Sequence, residues 1–394
     1  MFNRKLVFAA ACLGMLVFGV VLTSLGALLP SLIEQFGIGK ANAGSLLLTM
    51  SVGILVGSLL FGPLADRYGY KGILLLSLGL VLVGLEGIAF SGSLPWLRAS
   101  IVLVGLGGGV INGGTNALVS DVSEEGRSAG LSLLGIFFGV GAVGVPFLLG
   151  MLLDAFSYPT LMAAVGAVVA VPLVFTAAIR FPRPKQAQGF PLSKGFKLTG
   201  DRVLLLLGLM LFLESGMEIT VGGWTATFYQ EQMGMAGNRA LFFLSLFWLG
   251  MMLARLLLGT VFSKAPGTVA LPSCIALAFL GSLAMIVAPS LALAATGTFL
   301  IGAGLAAGFP VILGLVGDRY AELSGTAFSI VLVMALTGGS LLPYLTGVLG
   351  GAYGMRGSLL VVPACLVLQL ALLAVVLRRS AAVPAVTLQA PGGA

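Results

Sequence analysis

Two carboxylates, Glu214 and Glu218, stand four residues apart inside one apolar run. On a helix that spacing puts them on one face. Two carboxylates that close in a low dielectric would titrate as a pair, with one holding a proton near neutral pH, and such a pair can carry a proton. The chain contains no His, so a proton-carrying role falls to carboxylates and His-based catalysis is excluded. Arg255, in the next apolar run, could hold an anionic substrate or a Glu by a bidentate contact. It could equally latch two helices together. Asn112 and Asn116 are again four apart. Their amides both donate and accept, which suits sugar hydroxyls and also suits hydrogen bonds between helices. Trp224 follows Gly222 and Gly223. Its indole could stack on the apolar face of a sugar or anchor a helix at a membrane interface.

These residues need elements to position them, and the composition says what kind. Of 394 residues, 59% are hydrophobic and 8% charged, against roughly 25% charged in a soluble domain. A chain this apolar cannot cover itself in water. A bilayer removes the need, because a lipid-facing helix requires no polar side. Polar groups at membrane depth are then costly, so each is a functional candidate. The 58 glycines have a use there too, since small residues let helix backbones approach closely. Cys12, Cys274 and Cys365 show neither pairing nor metal spacing and read as packing thiols.

Apolar runs long enough to span a bilayer recur twelve times, at about 6–33, 43–65, 72–91, 98–120, 128–152, 158–179, 203–229, 240–262, 269–288, 291–316, 324–349 and 357–377. The spacing predicts an all-α membrane protein of twelve transmembrane helices in two six-helix halves. Residues 1–180 form the first half and 203–379 the second, joined by a basic, Pro-bearing linker at 181–202 and followed by a disordered tail at 380–394. Arg4, Lys5, Arg67, Lys71, Arg127, Arg180, Arg202, Lys264, Arg319, Arg378, Arg379 and the linker cations fall on one side; Lys40, Arg98, Arg239 and Arg356 fall on the other. The positive-inside rule places both termini in the cytoplasm of a cell whose inner membrane holds the chain. The net charge of +7 follows this topology and does not call for nucleic acid. The opening apolar run is too long for a signal core and reads as the first span.

Residues 57–71, GSLLFGPLADRYGYK, resemble the signature loop of the major facilitator superfamily, with Gly62, Asp66, Arg67, Gly69 and Lys71 in its pattern. The resemblance implies a conformational latch at these residues. A weaker echo, RLLLGTVFSK at 255–264, stands at the corresponding place in the second half. Four segments resemble the fucose–galactose–glucose branch of sugar:proton symporters: GLGGGVINGGTNALVSD (105–121), LSLLGIFFGVGAVGVP (131–146), ESGMEITVGGW (214–224) and GFPVILGLVGDRYAELSGTA (308–327). Where that branch carries an Asp in the first helix and a Glu in the fourth, this chain has Gly26 and Asn112, and Gly135 replaces a polar residue of the fifth.

The resemblance and the residues together predict a proton-coupled symporter of a monosaccharide or polyol working by alternating access. Asn112, Asn116, Glu218, Trp224 and Arg255 would bind substrate, and Glu214 and Glu218 would bind protons, with sodium as the other candidate ion. A drug or amphipathic-metabolite exporter and an organic-anion transporter are the alternatives. Asp121, Glu124, Glu125 and Arg127, with Asp318, Arg319 and Glu322, form a mirrored charged set that would either gate the cytoplasmic side or sit solvated. There is no GxxxxGK[ST] loop, metal-ligand cluster or nucleophile–base pair in the sequence. The expectation is therefore no enzyme, no cofactor and no metal, a monomer in the lipid bilayer, and energy drawn from a gradient.

Overall fold

The computed structural model describes residues 2–122, 127–182, 200–261, 267–320 and 324–382. Glu124, Glu125, Glu322, Lys264, most of the 181–202 linker and most of the tail lie outside the described residues. So do the side chains of Asp66 and Arg127.

Among the described residues, twelve helices are long and apolar enough to cross a membrane: α1 (Arg4–Phe36), α2 (Lys40–Ala65), α3 (Arg67–Ala89), α4 (Leu94–Val122), α5 (Leu133–Leu152), α6 (Tyr158–Ala178), α7 (Arg202–Met233), α8 (Gly237–Gly259), α9 (Val269–Val287), α10 (Leu291–Arg319), α11 (Ala327–Ser358) and α12 (Val361–Arg378). The protein is an all-α, multi-pass membrane protein, as the apolar runs predict. Odd-numbered helices start at the face that holds Arg4 and Arg378, called here the terminal face. Even-numbered helices start at the opposite face. Val168, Val171 and Val174 of α6 are each about two-thirds exposed, an apolar stripe suited to lipid.

The leading helices of the halves are built alike. Asn3 Oδ1 accepts from the Lys5 and Leu6 amides, and Asp201 Oδ1 from those of Val203 and Leu204. Each N-cap satisfies donors the helix cannot. Both helices end on a left-handed glycine, Gly37 (φ 57°) and Gly234 (φ 61°).

Glycine sets how closely helices approach. Gly53 and Gly57 of α2 face Gly105 and Gly109 of α4, and a Cβ on Gly53 would stand 3.0 Å from the Gly105 Cα. Van der Waals packing between backbones thereby replaces a hydrophobic drive that is absent between helices in lipid.

The α2–α3 turn and the end of α11 share a local sequence, YGYKG at 68–72 and YGMRG at 353–357. Gly69 (φ 70°, ψ 168°) and Gly354 (φ 72°, ψ 168°) share one backbone conformation, a region open essentially to glycine alone. The two turns lie at opposite faces, as inverted three-helix repeats within each half would place them. Gly69→Ala and Gly354→Ala should each destabilise the fold by about 1–3 kcal/mol. Unfolding in detergent checks this, and wild-type stability in either variant would show that its turn does not need the glycine.

Candidate functional site

α7 carries both carboxylates into the protein: Glu214 is 1% and Glu218 7% exposed. One turn apart, they meet different partners. Glu218 Oε2 lies 3.7 Å from Arg255 Nη2 of α8, and the Arg255 side chain is 31% exposed. That separation exceeds hydrogen-bond length, and Glu218 Oε2 and Arg255 Nε have no hydrogen-bond partner. The pair is therefore held by charge rather than by a bidentate fork. It can be opened by protonating the carboxylate or by offering the guanidinium another anion. Glu214 Oε2 instead accepts from Gln369 Nε2 of α12 at 2.7 Å. Its carboxyl also packs on Gly308, where a Cβ would overlap it. Gly308 stands where α10 resumes after a break at Ala306–Ala307. Pro310 explains the break, since it cannot donate to the carbonyl four residues earlier.

In the first half, Asn116 Nδ2 donates to Asn112 O at 2.8 Å and to Asn112 Oδ1 at 3.2 Å. Both asparagines are only partly buried. Among the described residues, neither forms a hydrogen bond with Glu218 or Arg255, so the structure does not close the two sets around each other. The two departures in the glycines have physical readings. A Cβ on Gly26 would overlap the Gly222 carbonyl of α7, so no acidic side chain fits there in this conformation. A Cβ on Gly135 would meet nothing within 4 Å, so the missing polar side chain leaves open space.

Trp224 is fully buried and braces α7 against α11 within the second half, beside the residues that seal the two halves together. Its Nε1 donates to Pro343 O of α11 at 2.9 Å, and its ring packs against Gly347. Pro343 has no N–H, which frees the Gly339 carbonyl one turn earlier. Ser51 Oγ of α2, from the other half, donates to that carbonyl at 3.1 Å. Lys40 Nζ, at the start of α2, pairs with Glu231 Oε2 at 2.8 Å and donates to Gly350 O at 3.3 Å. Asn238 Nδ2 donates to Asp154 Oδ2 at 2.7 Å. Lys40, Glu231, Gly350, Asn238 and Asp154 all lie at the opposite face, which these bonds shut. Deeper in, Phe138 of α5 meets Trp248 of α8 edge to face at 5.9 Å.

The signature loop is tied within the first half. Lys71 Nζ donates to Ala177 O at 2.6 Å and Ile179 O at 2.9 Å, at the carbonyl end of α6. There a cation also complements the helix dipole. Tyr70, fully buried, donates through its hydroxyl to Asp121 Oδ2 of α4 at 2.7 Å. Arg67 lies over the Tyr68 ring at 5.2 Å. Gly62 is buried, and Gly69 makes the turn.

Three contributors went unread in the sequence. Gln369 is the lone amide in the apolar core of α12, a signal of the same kind that singled out Asn112. Ser51 and Tyr70 carry no such signal, because a helical hydroxyl usually bonds its own preceding turn and a Tyr near a helix end is common. Among the described residues, no group of Cys, Asp and Glu could hold a metal ion.

The family model described as Major Facilitator Superfamily matches residues 11–298. Bypass of stop codon protein 6 of Saccharomyces cerevisiae is 26% identical over 284 residues, 64% of this chain and 56% of that protein. The glucose/mannose transporter GlcP of Bacillus subtilis is 26% identical over 348 residues, 84% of each chain. The 4-hydroxybenzoate transporter PcaK of Pseudomonas aeruginosa is 31% identical over 174 residues, 43% of this chain and 38% of the relative. This chain thus spans less than two thirds of the length of the first and third of these relatives. Among solved structures, a bacterial homolog of the human lysosomal transporter Spinster, inward-facing and unoccupied, superposes with a TM-score of 0.78 at 18% identity. The match covers 95% of this chain and 97% of that one, and it bears on fold alone.

Ser51→Ala would leave the buried Gly339 carbonyl without its donor from the other half, a cost of about 1–3 kcal/mol felt only while the opposite face is shut. A cysteine placed at Leu47, with the native cysteines replaced, should then react about tenfold more with an impermeant maleimide. Unchanged labelling would show that the hydroxyl is no part of the seal.

Proposed function

The chain belongs to the major facilitator superfamily, and from that premise we propose that it is a proton-coupled importer of a monosaccharide or polyol. The observation that carries the reading is the cluster of buried Glu214 and Glu218 with the partly exposed Arg255, all on spanning helices of one half. Ionisable groups are kept at that depth for a purpose. The facing half offers amides and open space instead: Asn112 and Asn116 partly exposed, and Gly135 with room around it. Amides that both donate and accept fit a hydroxyl-rich solute better than a lipophilic one. The full-length likeness to a glucose/mannose transporter supports the same solute class.

Orientation follows from the basic residues. The terminal face is cytoplasmic, so the shut face looks outward, the arrangement of an inward-facing transporter. The chain works as a monomer in the inner membrane. In the outward-open state the seal parts, and Trp224, still held to Pro343 within its own half, comes to line the path beside Glu218. Protonation of the α7 carboxylates from outside favours the loaded, closing form. Deprotonation inside restores the Glu218–Arg255 attraction and expels the solute. The mirrored charges near Asp121 and Asp318 close the cytoplasmic side in the alternate state.

A second reading has its own observation. Arg255 keeps an unpartnered Nε and only a 3.7 Å contact to Glu218, so a substrate carboxylate could take Glu218's place. The likeness of part of the chain to a 4-hydroxybenzoate transporter supports that class.

Thermal-shift measurements of the purified chain separate the two, because a ligand of the native state raises apparent stability by mass action. Stabilisation by one class of hexose or polyol, unaffected by organic acids, is expected. Stabilisation by aromatic or aliphatic carboxylates alone, lost in Arg255→Gln, would replace the sugar reading with the anion one. In sealed vesicles, uptake of the stabilising sugar should rise as the outside is acidified, and Glu218→Gln should shift that dependence. An unaltered pH profile in Glu218→Gln would remove Glu218 from coupling.

A further inference from the structure

Glu214 is buried in this conformation, and its surroundings leave a particular gap. Gln369 Nε2 donates to Glu214 Oε2 at 2.7 Å. That leaves Glu214 Oε1 and Gln369 Oε1, both buried and both without a hydrogen-bond partner. Two acceptors on adjoining groups cannot satisfy each other, and each unmet buried acceptor is costly. One proton resolves both: a hydroxyl at Glu214 Oε1 becomes a donor for Gln369 Oε1. The carboxylic acid and the amide then form a closed, two-bond pair.

We infer that Glu214 and Gln369 form a discrete proton-binding site inside the second half, separate from the Glu218–Arg255 pair and roofed by Gly308 at the break in α10.

The inference rests on the proton-coupled reading and sharpens it. The proton resides on Glu214 instead of being shared along α7, and Gln369 is a positioning residue that holds the acid form. The titratable and charged groups that face Glu214 are Glu218 on its own helix, Arg255 on α8 and Cys274 on α9. α10 presents the backbone of Gly308, and α12 presents the Gln369 amide. The binding step balances simply: one proton adds to Oε1, and the carboxylate becomes a neutral acid that donates to Gln369. On release, the ionised carboxylate keeps the Gln369 Nε2 bond and regains its full charge beside Gly308. Because no Cβ separates α10 from that carboxyl, the change in charge falls on the one place where α10 has already lost helical hydrogen bonding to Pro310.

Infrared spectroscopy of the purified full-length chain, titrated over about pH 5 to pH 9, tests this without knowledge of the solute. The wild type should show the carbonyl stretch of a buried protonated carboxyl. Glu214→Gln should lose that band, and Glu218→Gln should keep it. Gln369→Leu should keep it but move it to higher frequency, since the acid loses its amide partner. Loss of the band in Glu218→Gln with retention in Glu214→Gln would overturn the inference while leaving proton coupling on α7 intact. An unshifted band in Gln369→Leu would remove Gln369 from the site, even if Glu214→Gln does not fold. No protonated carboxyl at any pH in the wild type would overturn both the inference and the proton-coupled reading.

Discussion

Charge inside a bilayer has no water to answer it, and the arrangement of this protein follows from how three such charges are answered. Glu218 is met by Arg255 at 3.7 Å, close enough to offset much of the desolvation yet too far to lock. Glu214 is met by a single amide bond. A well-formed buried ion pair would be rigid and hard to reverse. These two carboxylates are under-satisfied instead, and that is what allows a proton or an anion to change their state. The first half carries no matching acid at Gly26 or Asn112, so the ionisable chemistry is gathered on one side of the path and the neutral amides on the other.

The seal at the opposite face uses the same currency of unmet backbone groups. Pro343 removes one helical hydrogen bond within α11, and the freed Gly339 carbonyl is taken by Ser51 across the divide. Behind that bond, within the second half, Trp224 donates to Pro343 itself and braces α7 on α11. Gly26, Gly44 and Gly347 let the helices of the two halves meet backbone to backbone. Bonds of this kind are individually worth about 0.5–1.5 kcal/mol, so the halves can part without breaking either fold. The link to the carboxylates is α7, which carries Glu214 and Glu218 at mid-span and Trp224 and Glu231 further along. A shift in α7 is felt at both places.

The fold was legible because its signals are long and redundant. Twelve apolar runs and short loops leave little choice, and each run has its helix among the described residues. Ends were less legible: α10 reads as one run, and its break near Ala306 follows from Pro310, whose effect on a buried helix depends on what can take over the freed carbonyl. Glu214, Glu218 and Arg255 stood out because charge at depth is rare. Their division into two separate contacts could not be read, since it depends on α12 bringing Gln369, 155 residues away, against Glu214. Trp224 was visible as a residue with a purpose, but its place behind the seal depends on a carbonyl in α11. Lys71 matched a motif, whereas its bonds to the end of α6 came from packing between helices that no local spacing records.

The most direct measurement follows protons and solute together. The chain is reconstituted into sealed, lightly buffered proteoliposomes, and the sugar that stabilises it is added outside. Uptake by the wild type should make the external medium more alkaline in step with the sugar taken up. Glu214→Gln should still exchange labelled for unlabelled sugar across the membrane while moving no protons. Sugar accumulation without any external pH change, or undiminished proton movement in Glu214→Gln, would contradict the account.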